Sequence, residues 1–242
     1  MKTKKWNRKG FTLVELLVVI AIIVALAALA TPAILKQRKK VDKVQAINNM
    51  KQVHLIMMDF EGDFNSFPDS NTAQQDQNLS AFTGQSSNQL LGQLIAADYT
   101  QSEEIFFAKG GNPSGNKKPD NVTQPVQQIL QAGECGMAYV LVQGGSSTAS
   151  GPRGLSSSDN GGIPYLCAPV QTGGQDAVFR SDTYDNRGVY LRIDGSAKDE
   201  RLNPQNNRIK LPGTSNTLFQ PGQGTVWALG DGVLTPTVLL PQ

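Results

Sequence analysis

One carboxylate stands inside the most apolar stretch of the chain, and its position suggests ion-pair chemistry. The 25 residues from Phe11 to Leu35 contain a single charged side chain, that of Glu15. A carboxylate in hydrocarbon costs about 2.5–3.5 kcal/mol, so it usually has a partner. Hydrolysis of the Gly10–Phe11 peptide bond would create a cationic α-amine four residues before Glu15. Within one helix these groups meet only loosely, whereas the ammonium of one subunit would neutralise the carboxylate of a neighbour.

A membrane-spanning helix is the element that would hold this carboxylate. Residues 11–35 would form a helix about 38 Å long, enough to cross a hydrocarbon core of about 30 Å. Five cations precede the run within residues 1–10, and others follow it between Lys36 and Lys43, so the positive-inside rule does not fix the orientation. Pro32 removes one backbone hydrogen bond and predicts a kink in the helix rather than its end.

The residues around the Gly10–Phe11 bond also carry a resemblance to a known family. From Lys9 to Ile20 the sequence reads KGFTLVELLVVI. This run resembles the processing motif of type IV pilins and type II secretion pseudopilins. The resemblance implies that a prepilin peptidase cleaves after Gly10 and methylates the new N-terminal Phe11. It also implies that Glu15 serves subunit recruitment and that Pro32 kinks the helix. The similarity covers residues 1–60 and says little about the rest of the chain.

Two plainer interpretations of the apolar run stay open at this stage. An ordinary secretory signal has an apolar core of about 7–15 residues and a small-residue cleavage site, which Ala28-Leu29-Ala30 would supply. The core here is longer and contains Glu15. The other interpretation is a simple one-helix anchor in which Glu15 is incidental. We predict the pilin-like interpretation, because a helical pattern continues beyond the span.

The sequence predicts four parts. These are a leader peptide (1–10), a transmembrane and filament-core helix (11–35), an amphipathic continuation of that helix (36–61) and a globular domain (62–242). Along the continuation, apolar residues recur mostly every three positions, which predicts a stripe that winds around the helix. Its members are Val41, Val44, Ile47, Met50, Val53, Met57 and Phe60. Gly62-Asp63 is the predicted end of the helix.

The globular domain shows short helical patterns first and strand patterns later. Short helices are predicted at 90–95, with Ser87 or Asn88 as the cap, and at 125–132. Strand patterns follow from Met137 onward, and Asp194-Gly195 is a hairpin signal. The expected fold class is therefore α+β, with a long N-terminal helix packed against a C-terminal antiparallel β-sheet, as in pilins.

Composition argues against nucleic-acid binding and catalysis. The formal charge is +2, but without residues 1–10 there are 17 Lys and Arg against 20 Asp and Glu. From residue 62 onward the counts are 11 and 16, so the domain is mildly acidic and nucleic acid is not an expected partner. The one histidine, His54, lies on the long helix, and no phosphate-binding loop or zinc-protease motif occurs. We expect neither enzymatic activity nor a cofactor.

The two cysteines, Cys135 and Cys167, form a candidate disulfide. An exported domain permits the bond, which would close a loop of about 32 residues and contribute about 3–4 kcal/mol. Two free, buried thiols are the alternative. A structural zinc site is not expected with so few ligands. Asp182 and Asp185 offer oxygen ligands for Ca²⁺, but their spacing matches no defined loop, and no metal site is predicted.

The resemblance implies a structural subunit that is held in the bacterial inner membrane by one span, with its domain in the periplasm. Such a subunit assembles with copies of itself and other pilin-like subunits into a type II secretion pseudopilus or a type IV pilus-like filament that reaches toward the cell surface. The implied partners are a prepilin peptidase, an assembly ATPase with its platform protein, and membrane lipid. The size of the domain favours the pseudopilus slightly. The competing class is a membrane-tethered binding domain, for instance for glycans, that does not polymerise.

Overall fold

The computed structural model describes residues 11–112, 115–143, 152–211, 216–229 and 232–242. The chain divides into two compact units, residues 1–39 and residues 40–242. The predicted leader, including Gly10, lies outside the described residues. The predicted division into four parts stays a prediction.

Helix α1 (Leu13–Phe64) is 52 residues long and belongs to both units. In the first unit its side chains are exposed on every face through Arg38. The helix continues through Pro32 without a break in its assignment. Thr31 Oγ1 donates a hydrogen bond to the carbonyl oxygen of Ala27 at 2.7 Å, a local bond of the kind that accompanies helix bending. The predicted kink at Pro32 stays a prediction.

In the second unit, α1 buries one face against the domain. Its buried residues recur every three or four positions, which is one stripe of an α-helix; they are Ala46, Asn49, Met50, Val53, Met57 and Phe60. The predicted stripe is buried from Met50 onward, and its first members are not covered by the domain. Val41 and Val44 are 64% and 52% exposed, and the first buried residue of the helix is Ala46.

Helix α1 ends at Phe64, two residues beyond Gly62, where the sequence predicted its end. Phe64 stacks on Phe60 with ring centroids 4.2 Å apart, which keeps the last turn helical. Asn65 then adopts a φ of 62° and donates its N–H to Glu61 at 2.8 Å. A left-handed Asn is a known substitute for Gly at this position, so Asn65 terminates α1 where Gly62 was expected to.

An antiparallel five-stranded sheet forms the centre of the domain, with the order β6-β5-β2-β1-β9. Two pairs of short strands, β3 with β4 and β7 with β8, accompany it. The strands are β1 (Ala138–Gln143), β2 (Pro164–Ala168), β3 (Val170–Thr172), β4 (Val178–Phe179), β5 (Arg187–Arg192), β6 (Ala197–Arg201), β7 (Ala228–Leu229), β8 (Gly232–Val233) and β9 (Thr235–Leu239).

The second-unit part of α1 shares one hydrophobic core with this sheet. Met50, Val53 and Met57 belong to the same buried cluster as Tyr139 of β1 and Leu166 of β2. Lys43 of α1 also forms an ion pair with Asp199 of β6. The α+β prediction of a long N-terminal helix and a C-terminal antiparallel sheet is confirmed.

Helix α2 (Ser87–Ala96) confirms the predicted short helix, with a different cap. Ser86 accepts the N–H of Gln89 at 3.4 Å and is the N-cap. Asn88, one of the two expected caps, instead donates its side-chain amide to the carbonyls of Leu130, Gln131 and Gln242. Four short 3₁₀ turns complete the helical content of the residues that the structure describes: Thr72–Gln74, Gln77–Leu79, Glu104–Phe106 and Val126–Gln128.

The helix predicted at 125–132 is wrong. Only Val126–Gln128 form a turn, because Ile129 is extended, with a ψ of 124°. Leu130 follows with a φ of 46°, and its N–H is bound by the carboxylate of Glu103 at 2.8 Å. The backbone N–H of Leu130 therefore bonds to the side chain of Glu103 and not to a carbonyl within a helix.

Both cysteines are free and buried, so the candidate disulfide is not formed in this structure. Cys167 of β2 is paired across the sheet with Ala138, and Cys135 lies three residues before that position. The Cys135 thiol donates to the carbonyl of Met137 at 3.5 Å. Burial raises the pKa of the Cys135 thiol to about 11 and raises that of Cys167 well above its usual range, so both stay protonated near neutral pH.

Candidate assembly site

The start of α1 is a capping box formed by Thr12 and Glu15. Glu15 N–H donates to Thr12 Oγ1 at 3.2 Å, while Glu15 Oε2 accepts the Thr12 N–H at 2.9 Å. The Thr12 hydroxyl donates to the same Oε2 at 2.8 Å. These reciprocal bonds satisfy two of the backbone donors that a helix leaves open at its N-terminus. The sequence analysis missed Thr12, although Thr-x-x-Glu before an apolar run is the sequence signature of this motif.

The Glu15 carboxylate uses one of its two oxygens in this box. Oε2 accepts both bonds from Thr12, and within the described part of the chain no hydrogen bond reaches Oε1. The positive end of the helix macrodipole also lies at this position and favours a negative charge. The local bonds therefore lower the cost of the charge, and one oxygen stays available to an outside donor.

An apolar surface surrounds the carboxylate. Leu13, Val14, Leu16 and Leu17 are between 54% and 86% exposed. By length and composition, α1 is the one helix among the described residues that is able to cross a membrane. Its most apolar 18 residues have a mean hydropathy of 3.0, and none of them is buried in the structure. A surface of this kind fits a single-pass membrane anchor, because water does not tolerate so large an apolar area.

The other predicted site residues lie apart from this region or outside the described residues. Phe11 is 74% exposed and directly precedes the capping box. Gly10 lies outside the described residues. Pro32 lies three residues before the end of the apolar run. Cys135 and Cys167 lie in the core of the second unit. Their predicted roles in processing, assembly and bending stay predictions.

One acidic cluster in the second unit offers the ligand types of a metal centre. Among the residues with described positions, Glu103, Asp120 and Glu134 bring carboxylate oxygens within 4.8 Å of one another. The ammonium of Lys117 lies 2.7 Å from Glu134 Oε1 and 3.1 Å from Asp120 Oδ2, in the place that a cation would take. Asp182 and Asp185 are not members of this cluster.

The carboxylates of the cluster instead bind the loop around them, residues 117–134, through hydrogen bonds and ion pairs. Glu103 accepts the backbone N–H groups of Asn121 and Leu130, both at 2.8 Å. Burial raises the pKa of Glu103, and the neighbouring Glu134 and Asp120 act in the same direction against the bonds from the backbone. These contacts hold residues 117–134 in place without a metal ion having to supply charge.

His54 was the one candidate for acid–base chemistry, and its contacts are those of packing. Its Nδ1 lies 2.7 Å from the hydroxyl of Tyr165 on β2. Gly195, in the turn between β5 and β6, has a φ of 76°, and a Cβ there would lie 3.0 Å from His54 Nε2. Burial lowers the pKa of His54, and the carboxylate of Asp194 opposes that shift. The half-buried ring thus joins α1 to the sheet and to the hairpin turn.

Comparison with known proteins identifies the N-terminal segment. Residues 7–31 match the family model of the prokaryotic N-terminal methylation motif. This motif is the signature of type IV pilins and pseudopilins, and the resemblance predicted from the sequence is confirmed over these residues. The motif supports a protein of the type IV pilin or pseudopilin class, which consists of structural subunits. No curated protein and no solved structure matches the chain.

Proposed function

We propose that this protein is a pilin-like subunit that is processed and then assembles into a helical filament of the pseudopilus or type IV pilus kind. A prepilin peptidase cleaves after Gly10 and methylates Phe11. Before assembly, the subunit is anchored in the bacterial inner membrane with its second unit in the periplasm. An assembly ATPase and its platform protein then supply the work of moving subunits from the lipid into the filament.

The observation that carries the proposal is that only one carboxylate oxygen of Glu15 accepts hydrogen bonds from the described residues, on a helix with an exposed apolar surface. Oε2 is bound by Thr12, and Oε1 has no donor within the described residues. In a filament, the ammonium of Phe11 from a neighbouring subunit binds Oε1. Lipid cannot offer that donor in the hydrocarbon region, so each joining subunit relieves the charge of another.

The test is a pair of substitutions that separates charge from capping. Glu15→Gln keeps a side chain that can close the capping box but has no negative charge. Glu15→Ala loses both. Both variants are expressed with the peptidase and the assembly system, and two quantities are measured: the N-terminal mass of the processed chain and the yield of sheared filaments. We expect cleavage to continue in both variants and the yield to fall at least about tenfold in both, since the ion pair is lost.

Each other outcome contradicts part of the account. Wild-type filament yield from Glu15→Gln would show that the capping box alone is needed and would overturn the ion pair. Unchanged behaviour of both variants in every assay, with no filaments from the wild type, would favour the membrane-tethered binding domain instead.

A further inference from the structure

A single asparagine of the chain is followed directly by glycine. It is Asn160, in the loop before β2, and its side chain is exposed. A side-chain amide loses ammonia when the backbone nitrogen of the next residue attacks its carbonyl carbon. A Cβ on that next residue hinders the attack, and Gly161 has none. The sequence therefore places an unhindered nucleophile beside the Asn160 amide.

The turn that contains Asn160 fixes its side chain beside the Gly161 peptide. Asn160 Oδ1 accepts the N–H of Gly162 at 2.9 Å, and Asn160 Nδ2 donates to the carbonyl oxygen of Val226 at 3.3 Å. The backbone carbonyl of Asn160 accepts the N–H of Ile163 at 2.9 Å, which closes the turn. Within the part of the chain that the structure describes, the N–H of Gly161 donates no hydrogen bond.

The hydrogen bond from Gly162 also favours the attack itself. When the nitrogen of Gly161 bonds to Cγ of Asn160, negative charge develops on Oδ1. An N–H group that already lies at this oxygen stabilises the charge, as backbone N–H groups do in an oxyanion hole. Because the N–H of Gly161 is not engaged elsewhere in the turn, water or hydroxide is able to take its proton.

We propose that Asn160 is a site of deamidation in the folded protein. A bond forms between Gly161 N and Asn160 Cγ, the Cγ–Nδ2 bond breaks, and the amide nitrogen leaves as ammonia. The proton that Gly161 loses goes to solvent, and the departing nitrogen takes one from it. Water then opens the five-membered succinimide at either carbonyl and gives aspartate or isoaspartate. The reaction needs only water, and it does not depend on filament assembly.

Asn206 provides a matched comparison within the same chain. It is also exposed, and its Oδ1 accepts the N–H of Arg208, two residues further on, at 3.2 Å. The intervening residue is Asn207, which carries a Cβ. The N–H of Asn207 also donates to the carbonyl of Asn203 at 2.8 Å. The two asparagines thus share exposure and the bond to Oδ1, and they differ in the nitrogen that would attack.

Deamidation would change the contacts of this turn. A carboxylate at position 160 has no N–H to donate to the carbonyl of Val226, so that bond is lost. In isoaspartate the main chain runs through the former side chain and is one carbon longer. The carbonyl that accepts the N–H of Ile163 then becomes part of a free carboxylate, outside the main chain. Both products therefore loosen the turn that leads into β2.

The experiment incubates the full-length protein in detergent micelles at neutral pH and physiological temperature. Peptide mass spectrometry follows the conversion of each asparagine amide to a carboxyl group, and isoaspartyl methyltransferase identifies isoaspartate. We expect Asn160 to convert at least about tenfold faster than Asn206, because an attack that depends on close approach slows greatly when the approach is hindered. A parallel incubation in urea gives the rate of conversion in the unfolded chain.

Two variants that each add one methyl group test the assigned nucleophile. Gly161→Ala places a Cβ beside the attacking nitrogen and should slow the conversion of Asn160. Gly162→Ala is the matched control, since it keeps both N–H groups and should convert at close to the wild-type rate. Neither glycine has a positive φ, and the nearest heavy atom to either added Cβ is 3.3 Å away. Urea unfolding of each variant shows whether the fold is retained.

Three results would overturn the proposal. The first is conversion of Asn160 that is no faster than that of Asn206. The second is slower conversion of Asn160 in the folded protein than in urea, which would show that the turn protects the amide. The third is an equal rate in Gly161→Ala and the wild type. The first two comparisons use the wild-type chain alone, so they decide the matter even if a variant does not fold.

Discussion

Glu15 Oε2 accepts both the backbone N–H and the hydroxyl of Thr12, at 2.9 and 2.8 Å. Glu15, on which the proposed assembly depends, thus also caps the N-terminus of α1. Its charge is partly stabilised before any neighbour arrives, which makes a solitary subunit in lipid less costly. What a neighbour adds is limited to the second carboxylate oxygen.

The capping box predicts a measurable effect of Thr12. Thr12→Val removes the hydroxyl that accepts from Glu15 N–H and donates to Glu15 Oε2. Loss of a cap costs about 1 kcal/mol, so the exchange of the Glu15 amide proton should accelerate about fivefold in detergent micelles. The measurement is residue-resolved hydrogen exchange by NMR. Thr12→Ser retains the hydroxyl and should exchange at close to the wild-type rate. Equal protection in Thr12→Val and the wild type would rule out the box.

Two aspartates should differ in their effect on the stability of the second unit. Asp199 binds both Lys43 and Arg187, and the Lys43 side chain is only 15% exposed. Asp199→Asn leaves that ammonium poorly solvated, so the free energy of unfolding should fall by about 1–3 kcal/mol. Asp42→Asn breaks a pair whose lysine, Lys109, is 56% exposed, and should cost below about 1 kcal/mol.

The measurement for this pair is urea unfolding followed by the fluorescence of Trp227, which is fully buried. Trp6, the other tryptophan, lies in the predicted leader and is absent from a processed chain. Equal destabilisation by Asp199→Asn and Asp42→Asn would contradict the difference in burial on which the prediction rests.

His54 predicts a pH dependence of stability with a defined sign. Burial lowers the pKa of the folded His54 from 6.5, so the unfolded chain binds the proton more tightly. Stability should therefore be lost as the pH falls through 6.5 toward the folded pKa, and it should be level above about pH 7.5. His54→Gln keeps an acceptor for the Tyr165 hydroxyl but does not titrate. The difference in unfolding free energy between the two proteins should be constant above pH 7.5 and should shrink in the acid; a difference independent of pH would contradict the burial of His54.

The thiols give a prediction that bears directly on the candidate disulfide. With Cys135 and Cys167 both free and buried, a thiol reagent should react slowly with the native protein at neutral pH. Two thiols per chain should appear once urea unfolds it. The protein must be exported and never exposed to reductant. A count of zero in urea would show that the bond predicted from the sequence forms after all.

The long helix and the hairpin were predictable because their signals are local. The apolar run from Phe11 fixes the identity of α1, and Asp194-Gly195 lies at the turn between β5 and β6 as predicted. The end of α1 was not predictable from Gly62, because it depends on the stacking of Phe60 and Phe64.

Contacts between distant residues account for the remaining differences. The pairing of β1 with β9 joins residues about a hundred positions apart, and no local sequence pattern predicts it. The helix expected at 125–132 does not form, because the side chain of Glu103 binds the N–H of Leu130. The site residue Glu15 was predictable from its charge, and Thr12 from its spacing to Glu15, but the use of only one carboxylate oxygen required the structure.

Processing at the Gly10–Phe11 bond is the premise of the whole account, because only cleavage there creates the ammonium that Glu15 would bind. The most direct measurement is the N-terminal mass of the protein purified from membranes of cells that contain the peptidase. We predict a chain that begins with N-methyl-phenylalanine at residue 11. A chain that begins at Met1, or at Thr31 after cleavage by an ordinary signal peptidase, would contradict it.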